Sequence, residues 1–331
     1  MKTVGIARFQ RHGFTVLLLL MLLLAAVFPE PGMKGGLLRP EWTTMLGVWW
    51  IFFLQGLSLP LRDLSNGYRP VRLLLFVLSW NFIFFPVLIL LGSLAMSQWV
   101  PQNILLGFAL LSIMPTTISS AVALTGLAGG QTASAICATG LSNLLGVIIV
   151  PAWVALFLDT TESIQLPIGP LLVQLSLLIV LPLLLGQVAR VCLPTLAARL
   201  ASRSKRVCSG VILFVVYAAF ADAVAGGYFE SFSFARIALL FVATGSLVLL
   251  VAVLTWLSSG LLKLTPGERL AAFFCASQKS LATGLPLAAA IFTALPAALV
   301  VQLGWLLLPL IVFHPLQLIT AAIWVDRVRI N

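Results

Sequence analysis

Apolar segments long enough to cross a bilayer follow one another along nearly the whole chain, separated by short polar stretches. A helix needs about 20 apolar residues to span a hydrocarbon core of about 30 Å. By that measure ten spans are predicted, at residues 14–28, 42–59, 71–92, 103–127, 132–158, 168–188, 207–225, 235–262, 270–292 and 297–324. The first follows Lys2, Arg8 and Arg11, as the core of a signal peptide does. Pro29, Glu30 and Pro31 behind it make no small-x-small cleavage site, so the segment is read as a retained span.

Two spans are polar where they should be most apolar. The ninth holds FFCASQKSLATGLP at 273–286, with Ser277, Gln278, Lys279, Ser280 and Thr283 ahead of Gly284 and Pro286. A lysine at the centre of a membrane helix costs roughly 2.5–3.5 kcal/mol on insertion scales. Proline removes a backbone donor and clashes with the turn before it. Freed backbone groups at that depth persist only beside protein or a watered cavity. The stretch therefore predicts a broken helix lining a polar site. The plainer alternative is a kinked structural helix whose lysine snorkels to the surface, a long reach from Lys279. The fourth span is interrupted too, by MPTTISS at 114–120.

A polar loop at 159–167 divides the chain into 1–158 and 168–331, with five spans in each part. An odd number of spans inverts the second half relative to the first and makes spans four and nine partners. Paired interruptions in inverted repeats point to a transport site, although proline is common enough in membrane helices to coincide by chance. The expected fold is thus all-α and polytopic, with ten helices in two inverted five-helix repeats and discontinuous helices four and nine.

Composition and charge narrow the class. Of 331 residues 61% are hydrophobic and 8% charged, which leaves little chain for a soluble module. The net charge of +10 does not point to nucleic acid, because no basic run is long and the charges sit in loops. With ten spans, 15 Lys and Arg residues fall on the side of the termini and only Lys34, Arg39 and Arg236 on the other, with Lys279 inside the membrane. The positive-inside rule then places both termini in the cytoplasm and the chain in the cell (inner) membrane. Cys137, Cys192, Cys208 and Cys275 form no CxxC pair and are read as small apolar residues, not as disulfide or zinc ligands.

A broken helix offers free carbonyls at one half and free N–H groups at the other. Carbonyls suit cations, and N–H groups with the positive dipole end suit anions. Pro115, Thr116, Thr117, Ser119 and Ser120 line the first break; Ser277, Gln278, Lys279, Ser280 and Thr283 line the second. Thr139, Ser142 and Asn143 share roughly one side of span five, and either join this site or glue helices together. Asp222 is the carboxylate placed well inside a span, and pairing with Lys279 is the economical expectation, though Asp222 lies nearer the outer surface. His314 is read as a proton-active group or a hydrogen-bonded core histidine. Gln55 and Asn81 are read as packing contacts.

Further stretches match a known family: GGLLRPE at 35–41, FFLQGLSL at 52–59, MPTTISSAVALT at 114–125 and GGQTASAICATGLSNLLGVIIVP at 129–151. VYAAFADA at 216–223, FCASQKSLATGLP at 274–286 and PLIVFHPLQL at 309–318 continue the series. Together they resemble the bile acid:sodium symporter superfamily, most closely its divergent branch that includes the seventh human bile-acid-carrier homologue. The resemblance implies a panel and a core domain built from both repeats, with helices four and nine crossing in the core. Sodium-coupled relatives imply ligands at Ser119, Ser120 and Thr139, with Ala135 at the other helix-five hydroxyl position. The helix-nine acid of those relatives falls at Ser277 or Gln278, so the carboxylate is missing and Lys279 stands beside the gap. Two unit charges 4 Å apart repel by about 4 kcal/mol at an effective dielectric of 20, enough to cancel a millimolar binding energy of about 4 kcal/mol. Sodium coupling is therefore expected to be weak or absent, with a residual sodium site at Ser119, Ser120, Thr139 and Gln278 as the alternative. Lys279 then serves as a fixed charge or as a proton carrier, so Na+ or H+ is the coupling ion to consider.

The expected function is secondary active transport of a small organic anion, with the lipid bilayer as the chain's environment. A transport-inactive sensor keeping the same fold is the alternative. An intramembrane enzyme fits poorly: His12 lies in the tail, His314 stands alone, and there is neither HExxH nor a glycine-flanked serine motif.

Overall fold

The computed structural model describes residues 2–58, 71–159, 173, 176–227, 234–294 and 303–328. Apart from Asp159, the expected linker at 159–167 lies outside the described residues. The described chain is helical without strands. Its helices are α1 (Lys2–Val27), α2 (Pro40–Ser58), α3 (Val71–Ser79), α4 (Phe85–Met96), α5 (Gln102–Ile113), α6 (Ile118–Leu127) and α7 (Thr132–Asp159). They continue with α8 (Leu181–Cys192), α9 (Pro194–Ala225), α10 (Phe234–Gly260), α11 (Pro266–Ser277), α12 (Leu281–Ala294) and α13 (Leu303–Val328). Single π-helical turns, Trp80–Phe84 and Ser176–Val180, lead into α4 and α8.

Val71–Met96, Thr132–Val154, Arg206–Ala225, Arg236–Gly260 and Leu306–Val325 are each long and apolar enough to cross a membrane. α5 and α6 make a sixth candidate only as a pair, bent by 65°. α9 starts at Pro194, well before the predicted 207. Hydropathy sees only the apolar part of a helix, whereas Ala, Leu, Arg and Lys carry the α conformation through the basic stretch.

The chain forms two compact units. One contains α1, α2, α8, α9 and the part of α12 from Leu285. In it α2 packs on α8 and α9, and α1 packs on α9. Leu54, Leu57 and Ala197 form a small core there, and Gln187 Nε2 donates to the Gly56 carbonyl at 2.6 Å. Asp222 also belongs to this unit. It accepts from the Lys34 backbone at 3.1 Å and lies 3.8 Å from Lys34 Nζ. The expected pairing with Lys279 is therefore replaced by one with Lys34, in the turn between α1 and α2.

The other unit holds α3 to α7, α10, α11, the start of α12 and α13 from Trp305. α11 packs on α3, α6, α7 and α10. Its start is fixed by Thr265, whose hydroxyl accepts from Glu268 N while Glu268 Oε2 accepts from Thr265 N at 2.9 Å. Such a reciprocal cap satisfies two orphan donors, and Pro266 follows at the position where proline costs nothing.

Candidate functional site

Both interruptions exist, and both lie in the second unit. At the first, Met114 and Thr117 are extended, with ψ of 142° and 133°. Pro115 accounts for Met114, because proline drives the residue before it out of the α region and brings no N–H. Gly146 of α7 makes room: a Cβ there would sit 3.1 Å from Pro115 Cβ.

The second break falls at Gln278, Lys279 and Ser280, earlier than Gly284 and Pro286 suggest. Pro286 lies inside α12. Gly284 serves packing instead, since a Cβ there would meet Met114 Cγ and Sδ at 3.2 Å. The break is held from outside. Ser280 N donates to Pro115 O at 2.9 Å, joining the two interruptions backbone to backbone. Lys279 N donates to Gln317 Oε1 at 2.7 Å, and Gln317 Nε2 returns a bond to Lys279 O at 2.8 Å.

Lys279 is fully buried. Its Nζ donates to three backbone carbonyls, Ser112 at 2.7 Å, Met114 at 2.9 Å and Asn81 at 3.1 Å. The Phe85 ring lies 4.5 Å away on another side, the geometry of a cation–π contact. Each acceptor has a local reason to be available. Ser112 and Met114 flank the end of α5, where helical donors run out. Asn81 lies in the π turn, in which Phe85 N–H bonds Trp80 O. The next ladder donor would come from Pro86, which has none. The neighbouring Phe82 carbonyl is taken by Trp153 Nε1 at 2.8 Å.

Three charge-assisted bonds are worth about 1.5–3 kcal/mol each, against several kcal/mol for burying one ion. The two terms are comparable, so a charged Lys279 is sustainable here without a carboxylate.

The other predicted residues divide. Asn143 Nδ2 donates to Thr116 O at 2.8 Å and its Oδ1 accepts from Thr283 at 2.9 Å, tying α7 to both breaks. Ser142 Oγ accepts from Asn81 Nδ2 at 3.2 Å and Thr116 N at 3.4 Å. Ser120 donates to Gln278 Oε1 at 2.6 Å. Ser280 Oγ accepts from Thr283 N at 3.0 Å. Thr139 bonds back to Ala135 O at 2.8 Å within its own helix, and Ser119 is exposed while Ser277 is buried. Of the four residues named for a sodium site, Ser120 and Gln278 are bonded to each other, and the Thr139 hydroxyl donates within its own helix. Among the described residues no cluster of three or more His, Cys, Asp or Glu forms.

Asn81 and Gln317, central here, look in the sequence like any lone amide in an apolar span. Pro86, five residues after Asn81, was the available hint that a carbonyl there needs a partner. His314 stands one turn from Gln317, with Nδ1 2.9 Å from Gln317 Nε2. Gln278 Nε2 and Thr116 Oγ1 are buried without a protein partner.

Apolar helices long enough to span, one of them a bent pair tied at buried polar groups to a second helix break, fit an integral membrane protein of the transporter kind. The model of the SBF-like CPA transporter family matches residues 12–330, and the chain belongs to that family. It is similar to the sodium/bile acid cotransporter 7-A of Xenopus laevis, 31% identical over 330 residues, covering 97% of this chain and 93% of that one. The uncharacterized protein PA2026 of Pseudomonas aeruginosa is 33% identical over 324 residues, with the same shares covered. The sodium/bile acid cotransporter 7 of Danio rerio is 30% identical over 334 residues, covering 98% of this chain and 95% of that one.

Proposed function

We propose that this chain is a secondary active transporter of a small organic anion, working by alternating access at the paired breaks, with Lys279 standing where a coupling cation would otherwise bind. Ten spans in inverted repeats, with cytoplasmic termini in the cell (inner) membrane, complete the reading. One observation carries it: the Lys279 ammonium donates to three carbonyls freed by the first break and the π turn. Three acceptors match the three N–H bonds of a charged amine. A neutral amine would leave one carbonyl unpaired and face it with a lone pair. The fixed charge is favoured over the proton carrier on that count. An anion is favoured by the positive N-terminal ends of α6 and α12 and by the unpartnered donor Gln278 Nε2 beside Ser120.

The test is thermal unfolding of the detergent-purified protein, titrated with sodium against choline at constant ionic strength. A ligand of the folded state raises the midpoint by mass action. Wild type is expected to show no sodium shift, and Lys279→Glu to gain one. A saturable sodium shift in wild type overturns the cation-substitute reading. A solute screen in which only neutral or cationic compounds raise the midpoint overturns the anion.

A further inference from the structure

His314 is the second ionisable group at the break, and the fixed polarity of a peptide determines what its ring must do. The Lys279 N–H can only donate and the Lys279 carbonyl can only accept. Gln317 bonds both, so its oxygen must face the N–H and its NH2 the carbonyl. The side-chain amide has no freedom to be turned over. Its second N–H then points at His314 Nδ1, 2.9 Å away. For that contact to be a hydrogen bond, Nδ1 must carry a lone pair and the ring must be neutral, with its proton on Nε2.

We infer that Gln317 is a positioning residue that holds the Lys279 peptide at the break, and that a proton on His314 Nδ1 releases it. Adding that proton sets N–H against N–H. Turning the amide over relieves the clash at His314 but creates two at Lys279, donor against donor and oxygen against oxygen. Either arrangement loosens the peptide that carries the ammonium into its three carbonyls. His314 and Gln317 lie three residues apart on α13, so they share a face and move together.

The charged group across Gln317 from His314 is Lys279. Of the other elements packed on α13, α4, α5 and α6 carry no ionisable side chain, and α10 carries Arg236. On α11, Glu268 caps Thr265, Arg269 lies over the Trp256 ring and Cys275 donates to Ala135 O. Among the described residues no carboxylate pairs with His314. A charged ring meets both Gln317 and the Lys279 carbonyl, for which it competes with the Gln317 amide.

The inference does not use the transport reading, and its experiment needs no substrate. The unfolding midpoint of the full-length protein is measured from about pH 8 to about pH 5, the range in which histidine changes charge. His314→Asn keeps an acceptor near the Nδ1 position and cannot titrate. Wild type is expected to lose a few °C more than His314→Asn on acidification, with the two alike at the alkaline end. Gln317→Met is expected to be low at both ends and to erase the difference that His314→Asn makes. A His314→Asn profile that follows wild type overturns the inference, as does an undiminished His314 effect in Gln317→Met. If either variant fails to fold, the nitrogen spectrum of 15N-histidine-labelled wild type decides it. A second signal, beside that of His12, with its proton on Nδ1 at about pH 8 would overturn the assignment.

Discussion

Three N–H bonds and three carbonyls meet at Lys279, and removing the amine should cost what those carbonyls then lack. A buried acceptor left unpaired costs about 1–3 kcal/mol. Lys279→Met, close in length, is expected to lose roughly 3 kcal/mol or more, read as a fall in the unfolding midpoint. Asp222→Asn gives the contrast in the same measurement. Its partner Lys34 is 43% exposed, and such pairs are worth about 1 kcal/mol or less. Equal losses in the two variants would mean that the carbonyl bonds of Lys279 do not hold the break. The sequence announced Lys279 because a lysine in an apolar span is costly wherever it points. It could not announce Asn81 or Gln317, since a lone amide in such a span costs little whether it packs or binds. Nor could it pair Asp222, because the partner arrives from a turn 188 residues away.

Breaks in helices are legible when a local residue makes them and illegible when tertiary partners do. Pro115 forces Met114 out of the helix, and the interruption falls where the sequence puts it. Gln278, Lys279 and Ser280 contain neither glycine nor proline, and their non-helical stretch is held by Gln317 and Pro115 O. Pro286, the visible breaker, is accommodated inside α12. The π turn before Pro86 is a third case: proline predicts a kink, not that the carbonyl at Asn81 will need a lysine from another helix. This yields a double-mutant cycle. Pro86→Ala restores an N–H beside Asn81 O, so that carbonyl no longer depends wholly on Lys279. Lys279→Met is then expected to cost less in the Pro86→Ala background than alone, by about 1 kcal/mol, a typical net hydrogen bond. Neighbouring residues sharing a partner show such coupling and independent ones add. Strict additivity of the unfolding free energies would remove Asn81 from the ammonium's acceptors.

At the scale of the whole chain, the orientation in the membrane can be tested along a single helix. α9 has 32 residues, which at 1.5 Å each is about 48 Å. That exceeds a bilayer with its headgroup regions, about 40–45 Å. Its first turns carry Arg199, Arg203, Lys205 and Arg206, directly after the exposed Cys192. Its last turn carries Asp222, bonded to Lys34. On the proposed topology the basic start and the Lys34 end face opposite sides of the membrane, with the start cytoplasmic by the positive-inside rule. With Cys137 and Cys208 replaced by alanine, a membrane-impermeant maleimide added to intact cells is expected to label Lys34→Cys and to leave Cys192 unlabelled until the membrane is permeabilised. Both positions are exposed, so burial does not protect either one. Labelling of Cys192 from outside, with Lys34→Cys silent, would invert the orientation and with it the cytoplasmic placing of the termini. Labelling of both from outside would mean that α9 does not cross, and that the count of ten spans is wrong at this helix.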